Sequence, residues 1–126
     1  MGLTPIAVIH GHAGHAQAPS LFTTAPIPAM QKVLAKDGWT VDDVDLFEIN
    51  EAFAVVAMAA IRDLGLDDSK VNVNGGACAL GHPIGCSGAR IVVTLLAALQ
   101  ARGLKKGVAS LCIGGGEATA LAVELL

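Results

Sequence analysis

The chain has 126 residues, the size of one domain. A net charge of −3, with 15% charged residues and no basic stripe, excludes a nucleic-acid-binding surface. Apolar residues make up 53% and aromatics only 3%, with no Tyr, so the core must be Ala, Val, Leu and Ile, and part of the surface is suited to lie against another protein body.

Ile6 to Ile9 reads as a strand able to continue through His10 and His12. Pro19 to Pro28 reads as a loop that opens a helix, since Pro26 and Pro28 suit a first turn. That helix covers Ala29 to Lys36 and stops at Asp37-Gly38. Thr40 can cap a short turn through Asp42 and Asp43. Val44 to Ile49 is a strand of the buried kind, and Asn50 can cap a helix from Glu51 to Leu64 that ends at Gly65. Val71 to Val73 is a short strand, followed by a glycine-rich loop. A helix from about Gly85 to Arg102 comes next; apolar on more than one face, it is expected to be central and buried. Val108 to Ile113 and Ala118 to Leu125 are strands joined by Gly114, Gly115 and Gly116, expected to pair antiparallel. Strands alternating with helices predict a single α/β domain over residues 1–126, with a mixed, mostly parallel sheet of about five strands covered by helices.

No run reaches the roughly 18 apolar residues of a membrane span. The start, Met1 to Ile6, lacks a signal-peptide charge pattern, and Ile6 breaks the myristoylation pattern. Cys78, Cys86 and Cys112 form an odd set without close spacing, which predicts free thiols in a reducing, cytoplasmic setting.

The chemistry concentrates around His82. Five glycines stand between Gly75 and Gly88, a concentration costly in chain entropy and useful where backbone or substrate must come close. A histidine there can act as acid or base near neutral pH, taking a proton from a thiol or donating to a carbonyl oxygen. Gly76 to Gly81 has P-loop glycine spacing, but His82 stands where the lysine is required, so a phosphate loop is excluded. Cys112 ends a strand, where α/β folds gather reactive groups, and Gly114 can offer a backbone N–H to an oxyanion. Core packing is the equal alternative for Cys112 and the favoured one for Cys78 and Cys86. Asn50 reads first as a helix cap and second as an amide that holds a water or carbonyl; Glu51 reads as first-turn charge compensation. His10, His12 and His15 suggest a metal pair on a strand, but no carboxylate or cysteine adjoins them in sequence, so a solvated strand end is favoured and no metal site is expected.

Asn50-Glu51-Ala52-Phe53, Gly81-His82-Pro83 and Cys112-Ile113-Gly114, in this order, resemble the signatures of the thiolase family in its C-terminal half. Residues 25–29, 71–76 and 84–90 are also thiolase-like, so the resemblance covers nearly the whole chain. It implies a transferase acting on acyl-CoA, condensing two acetyl-CoA molecules or cleaving 3-ketoacyl-CoA with CoA, with the CoA thioester as substrate and no other cofactor. Carried over, His82 would activate a nucleophilic cysteine and bind a thioester oxygen, and Asn50 would hold a water in the same oxyanion hole. Cys112 would shuttle the proton at the reacting carbon, and the Gly114 amide would help form a second oxyanion hole. The acylated cysteine of the family belongs to an N-terminal half that this sequence lacks. The resemblance therefore implies a chain that is inactive alone and associates with such a half or with itself. Truncated product, excised domain and split-enzyme subunit all fit. A non-catalytic thiolase-like module is the alternative, and a histidine metal protein is a distant third.

Overall fold

The computed structural model describes residues 2–126. Four strands, β1 (Ala7–Ala16), β2 (Leu46–Ile49), β3 (Lys106–Ile113) and β4 (Glu117–Leu125), form one sheet in the order β1-β4-β3-β2. β2 runs parallel to β3, while β4 is antiparallel to both β3 and β1. The sheet is therefore mixed, with four strands rather than about five, and most of its pairings are antiparallel. The reason is geometric. β1, β2 and β3 do share one direction, as alternation with helices suggests, but the hairpin strand β4 inserts between β1 and β3 and turns both contacts around.

The fifth predicted strand, Val71 to Val73, shrinks to a single bridge between Val71 and Phe47. Asn72 interrupts it with a positive φ of 47°. Its side chain replaces the ladder: Ile49 N donates to Asn72 Oδ1 at 2.8 Å, and Asn72 Nδ2 donates to Ile49 O at 2.9 Å.

Helices α1 (Pro26–Asp37) and α2 (Ala54–Leu64) lie on one face. There the small side chains Ala118, Ala120 and Ala122 of β4 let Met30 and Val33 of α1 approach closely. After the short α3 (Ala77–Leu80), inside the predicted glycine loop, α4 (Ile84–Arg102) covers the other face. It packs Ile91, Leu95 and Leu99 on Leu46, Ala109 and Val123. Contrary to the expectation that no segment is of the membrane-spanning kind, α4 is long and apolar enough by length and composition, with mean hydropathy 1.6, because its apolar residues outweigh the charge of Arg90. Seated on the sheet, however, it buries one face only. Ile84 is 87% exposed and Val93 66%, so the expectation of a helix buried all round does not hold.

The helix stops fall where glycine puts them: Gly65 and Gly103 adopt the left-handed cap conformation after α2 and α4. Thr40 and Asp43 close the predicted short turn, with Thr40 N and Oγ1 both donating to Asp43 Oδ2 at 2.7 Å.

Candidate active site

β2 alternates its side chains between the two helical layers. Phe47 and Ile49 enter the α1–α2 core, while Leu46 and Glu48 face α4. Asn50 follows the strand and keeps it in register, its N–H donating to Ser110 O at 2.9 Å. It does not cap a helix. α2 begins only at Ala54, after Phe53 in an extended conformation with no side-chain cap. The Asn50 side chain is 0% exposed. Arg90 Nη2 donates to its Oδ1 at 3.2 Å, which fixes the amide so that Nδ2 lies 3.4 and 3.5 Å from the two ring nitrogens of His82. Equal distances to both nitrogens set the amide beside the ring rather than along either lone pair.

His82 occupies the exposed link between α3 and α4. Its Nδ1 is 2.6 Å from Ser87 Oγ. The ring borders a cavity of about 320 Å³ together with Ile84, Leu111, Cys112, Ile113 and Gly114. Cys112 and Gly114 reach that cavity from the end of β3 and the turn after it. His82, Cys112 and Gly114 therefore share one cleft, and Asn50 abuts it through His82. Cys112 is only 6% exposed, and burial pushes its thiol up from the ordinary value.

Glu51 does not serve α2. Its carboxylate turns the other way and accepts from Cys78 N at 3.0 Å and from Asn72 Nδ2 at 3.3 Å. A Cβ on Gly76 would run into this carboxylate, so a side chain there would displace Glu51 from these contacts. Glu51 thus fastens the loop that leads to His82. Cys78 and Cys86 are both exposed and free, not packed in a core. At neutral pH a disulfide-exchange reagent is expected to modify the exposed Cys86 promptly, Cys78 more slowly because desolvation and the Glu51 carboxylate raise its thiol, and buried Cys112 at least about tenfold more slowly than Cys86. Absorbance of the released thiolate measures this, and three equal rates would contradict the burial of Cys112.

The three N-terminal histidines are engaged elsewhere. His10 Nε2 contacts Glu124 Oε2 at 2.7 Å, and His12 Nε2 contacts Thr119 Oγ1 at 2.9 Å. His15 lies between Gln17 at 3.1 Å and the Lys32 ammonium at 3.0 Å. An ammonium at that position repels a metal cation.

The family model described as thiolase, C-terminal domain, matches residues 3–125. The chain belongs to the thiolase family. It is 56% identical over 124 residues to an acetyl-CoA acetyltransferase of Chromobacterium violaceum, covering 98% of this chain and 32% of that protein. Identity to acetyl-CoA acetyltransferase 1 of Arabidopsis thaliana is 55% over 126 residues, covering 100% of this chain and 30% of that one. The crystal structure of the Bacillus anthracis acetyl-CoA acetyltransferase superposes with a TM-score of 0.96 at 51% identity, over 99% of this chain and 32% of that chain. The α/β thiolase fold is shared, and this thiolase domain spans about a third of the length of its curated relatives.

Three polar residues of the thiolase site have no role in the motif reading: Glu48, Ser87 and Arg90. Glu48 and Ser87 are buried, and Arg90 Nη1 donates to Glu48 Oε2 at 3.2 Å. Two of them carried a local signal. Glu48 is the one charge in the apolar strand Leu-Phe-Glu-Ile, and Arg90 is the one charge between Ile84 and Gln100 of an otherwise apolar helix. Such charges are retained inside only when paired.

Proposed function

We propose that this thiolase domain is the second half of an acyl-CoA acyltransferase, catalysing Claisen condensation of acetyl-CoA or thiolytic cleavage of 3-ketoacyl-CoA. It completes an active site whose acyl-carrying cysteine lies in the remaining part of the molecule. The convergence of His82, Cys112 and Gly114 on one cavity, with Asn50 against His82, carries the reading. In cleavage, His82 takes the proton of the nucleophilic thiol, and the thiolate adds to the 3-keto carbon. The oxyanion rests on donors from His82 and the Asn50 side. When the carbon–carbon bond breaks, the departing acetyl-CoA carbanion takes the Cys112 proton, and its thioester oxygen rests on the Gly114 N–H. The Cys112 thiolate then accepts the proton of incoming CoA, whose sulfur takes the acyl group, and the released nucleophilic thiolate takes back the proton held by His82. A thiol that burial keeps protonated suits Cys112 as the donor in that step.

Free thiols support a reducing, cytoplasmic setting. The exposed apolar side chains Phe53, Val55 and Met58 of the α2 region, with Leu80 and Ile84 beside the cleft, support cover by the remaining two-thirds of a thiolase or by a second copy.

The test is reconstitution. The purified chain is expected to show no thiolysis of acetoacetyl-CoA. Co-expression with the remaining two-thirds of the Chromobacterium violaceum relative is expected to restore it, and His82→Ala or Cys112→Ser in this chain to abolish it again. A reconstituted complex that is folded, stable and inactive would overturn the reading in favour of a non-catalytic module.

A further inference from the structure

Ser87 and Arg90 stand three residues apart on α4, hence on one face of the helix, and each grips a different residue of the cleft. Ser87 is 0% exposed. Its hydroxyl lies 3.1 Å from Pro83 O, an acceptor one turn back along its own helix, and its single hydrogen goes there. With that hydrogen on Pro83 O, the oxygen offers only lone pairs to His82 Nδ1 at 2.6 Å, the arrangement that suits an Nδ1–H ring. A neutral imidazole has one N–H, so Nε2 keeps its lone pair. One turn further along the same helix face, the fork of Arg90 spans Glu48 Oε2 and Asn50 Oδ1, both at 3.2 Å. A guanidinium has only donors, so it selects the oxygen end of the Asn50 amide and turns the NH₂ end toward His82.

We propose that Ser87 and Arg90 are positioning residues that together set the protonation and orientation of the thiolase cleft. Ser87 fixes His82 in the tautomer with Nδ1–H, leaving Nε2 as the base. Arg90, anchored on Glu48, fixes Asn50 with its NH₂ group against the ring. One rigid helix face thereby aligns two residues that lie 32 positions apart in sequence. The proposal rests on the acyltransferase reading only for its purpose. When His82 takes a thiol proton at Nε2, the resulting imidazolium holds both protons, one on Ser87 Oγ and one facing the substrate oxygen. The same ring thus serves as base and then as oxyanion donor, with no rotation.

Nuclear magnetic resonance of the ¹⁵N-labelled chain tests this without turnover. At a pH where the ring is neutral, long-range ¹H–¹⁵N correlations of His82 are expected to show a pyrrole-type Nδ1 and a pyridine-type Nε2. Ser87→Ala is expected to release the ring toward the Nε2–H form that free histidine prefers. The wild-type measurement alone decides this half: an Nε2–H tautomer in the native chain overturns it. For the other half, the Asn50 side-chain protons are expected to be protected in the wild type and to exchange about tenfold faster in Arg90→Lys. That variant keeps a positive charge but cannot bridge two acceptors. Unchanged Asn50 protection in a folded Arg90→Lys chain overturns the role of Arg90. If the variant does not fold, unprotected Asn50 protons in the wild type do so. An inactive reconstituted complex with the expected tautomer and protection would sink the acyltransferase reading and leave the positioning roles standing.

Discussion

Replacing Arg90 by alanine is expected to cost about 3–5 kcal/mol of stability at neutral pH, the range for breaking a buried ion pair from one side. Glu48 is 1% exposed, and its Oε1 has no hydrogen-bond partner among the described residues. Without the guanidinium, the Glu48 carboxyl can stay buried at neutral pH only by holding a proton in a low-dielectric layer between sheet and helix, and Asn50 Oδ1 loses its donor as well. Urea denaturation of the two chains measures the difference.

The same pair sets a pH dependence whose sign follows from burial. Desolvation pushes the Glu48 carboxyl up to about 7, against an ordinary 4.5, and Arg90 opposes the rise without cancelling it. Between these values the unfolded chain releases a proton that the folded chain keeps. This contribution is fully present below about pH 4.5 and is lost as pH rises through about 7, a decline on the order of 3 kcal/mol. In Arg90→Ala the folded carboxyl loses its opposing charge, so the decline should extend to higher pH. Glu48→Gln should remove it. An Arg90→Ala chain within about 1 kcal/mol of wild type at neutral pH would show that the pair adds nothing to the fold.

Features determined by neighbouring residues were legible in the sequence. Gly65 and Gly103 stop their helices because the stop is a property of the backbone at that residue. The three motif segments also pointed to the thiolase fold, because together and in this order they resemble its signatures. What failed was decided at a distance. Asn50 has the chemistry of a cap, but its partner is Arg90, 40 residues on, and the helix starts only at Ala54, after an extended Phe53. Val71 to Val73 has strand composition, yet the Asn72 amide supplies the two hydrogen bonds that a continued ladder would have made. The strand order escaped for a similar reason. Direction follows from connection length, but only tertiary packing places β4 between β1 and β3. Within the cleft, His82 and Cys112 were visible as reactive types set among glycines. Ser87 was not, because a serine in a small-residue helix start carries no signal until the ring beside it is located.

A second large loss is expected from Gly116→Ala, about 3 kcal/mol or more, for two reasons that a paired control separates. Gly116 has a φ of 93°, a conformation that L side chains rarely adopt. It also meets the end of β1 backbone to backbone: Gln17 N donates to Gly116 O at 2.9 Å. A Cβ here would run into Gln17 O and come within 3.0 Å of Ala18 C and O. None of these is a flexible side chain that can turn away, so the turn itself must shift. Gly115 provides the control. Its φ is 97°, but a Cβ there meets nothing within 4 Å, so Gly115→Ala bears the conformational strain alone, about 1–2 kcal/mol. The excess in Gly116→Ala measures the docking of the turn onto β1. That docking bears on the site, because Gly114 and the Cys112 end of β3 hang from the same turn. A displaced turn is expected to raise Cys112 reactivity toward a thiol reagent in the Gly116 variant and not in the Gly115 variant, under conditions where both remain folded. Equal stability losses and equal thiol rates in the two variants would show that contact with Gln17 and Ala18 carries no weight, leaving the cleft to be held by the β3–β4 pairing alone.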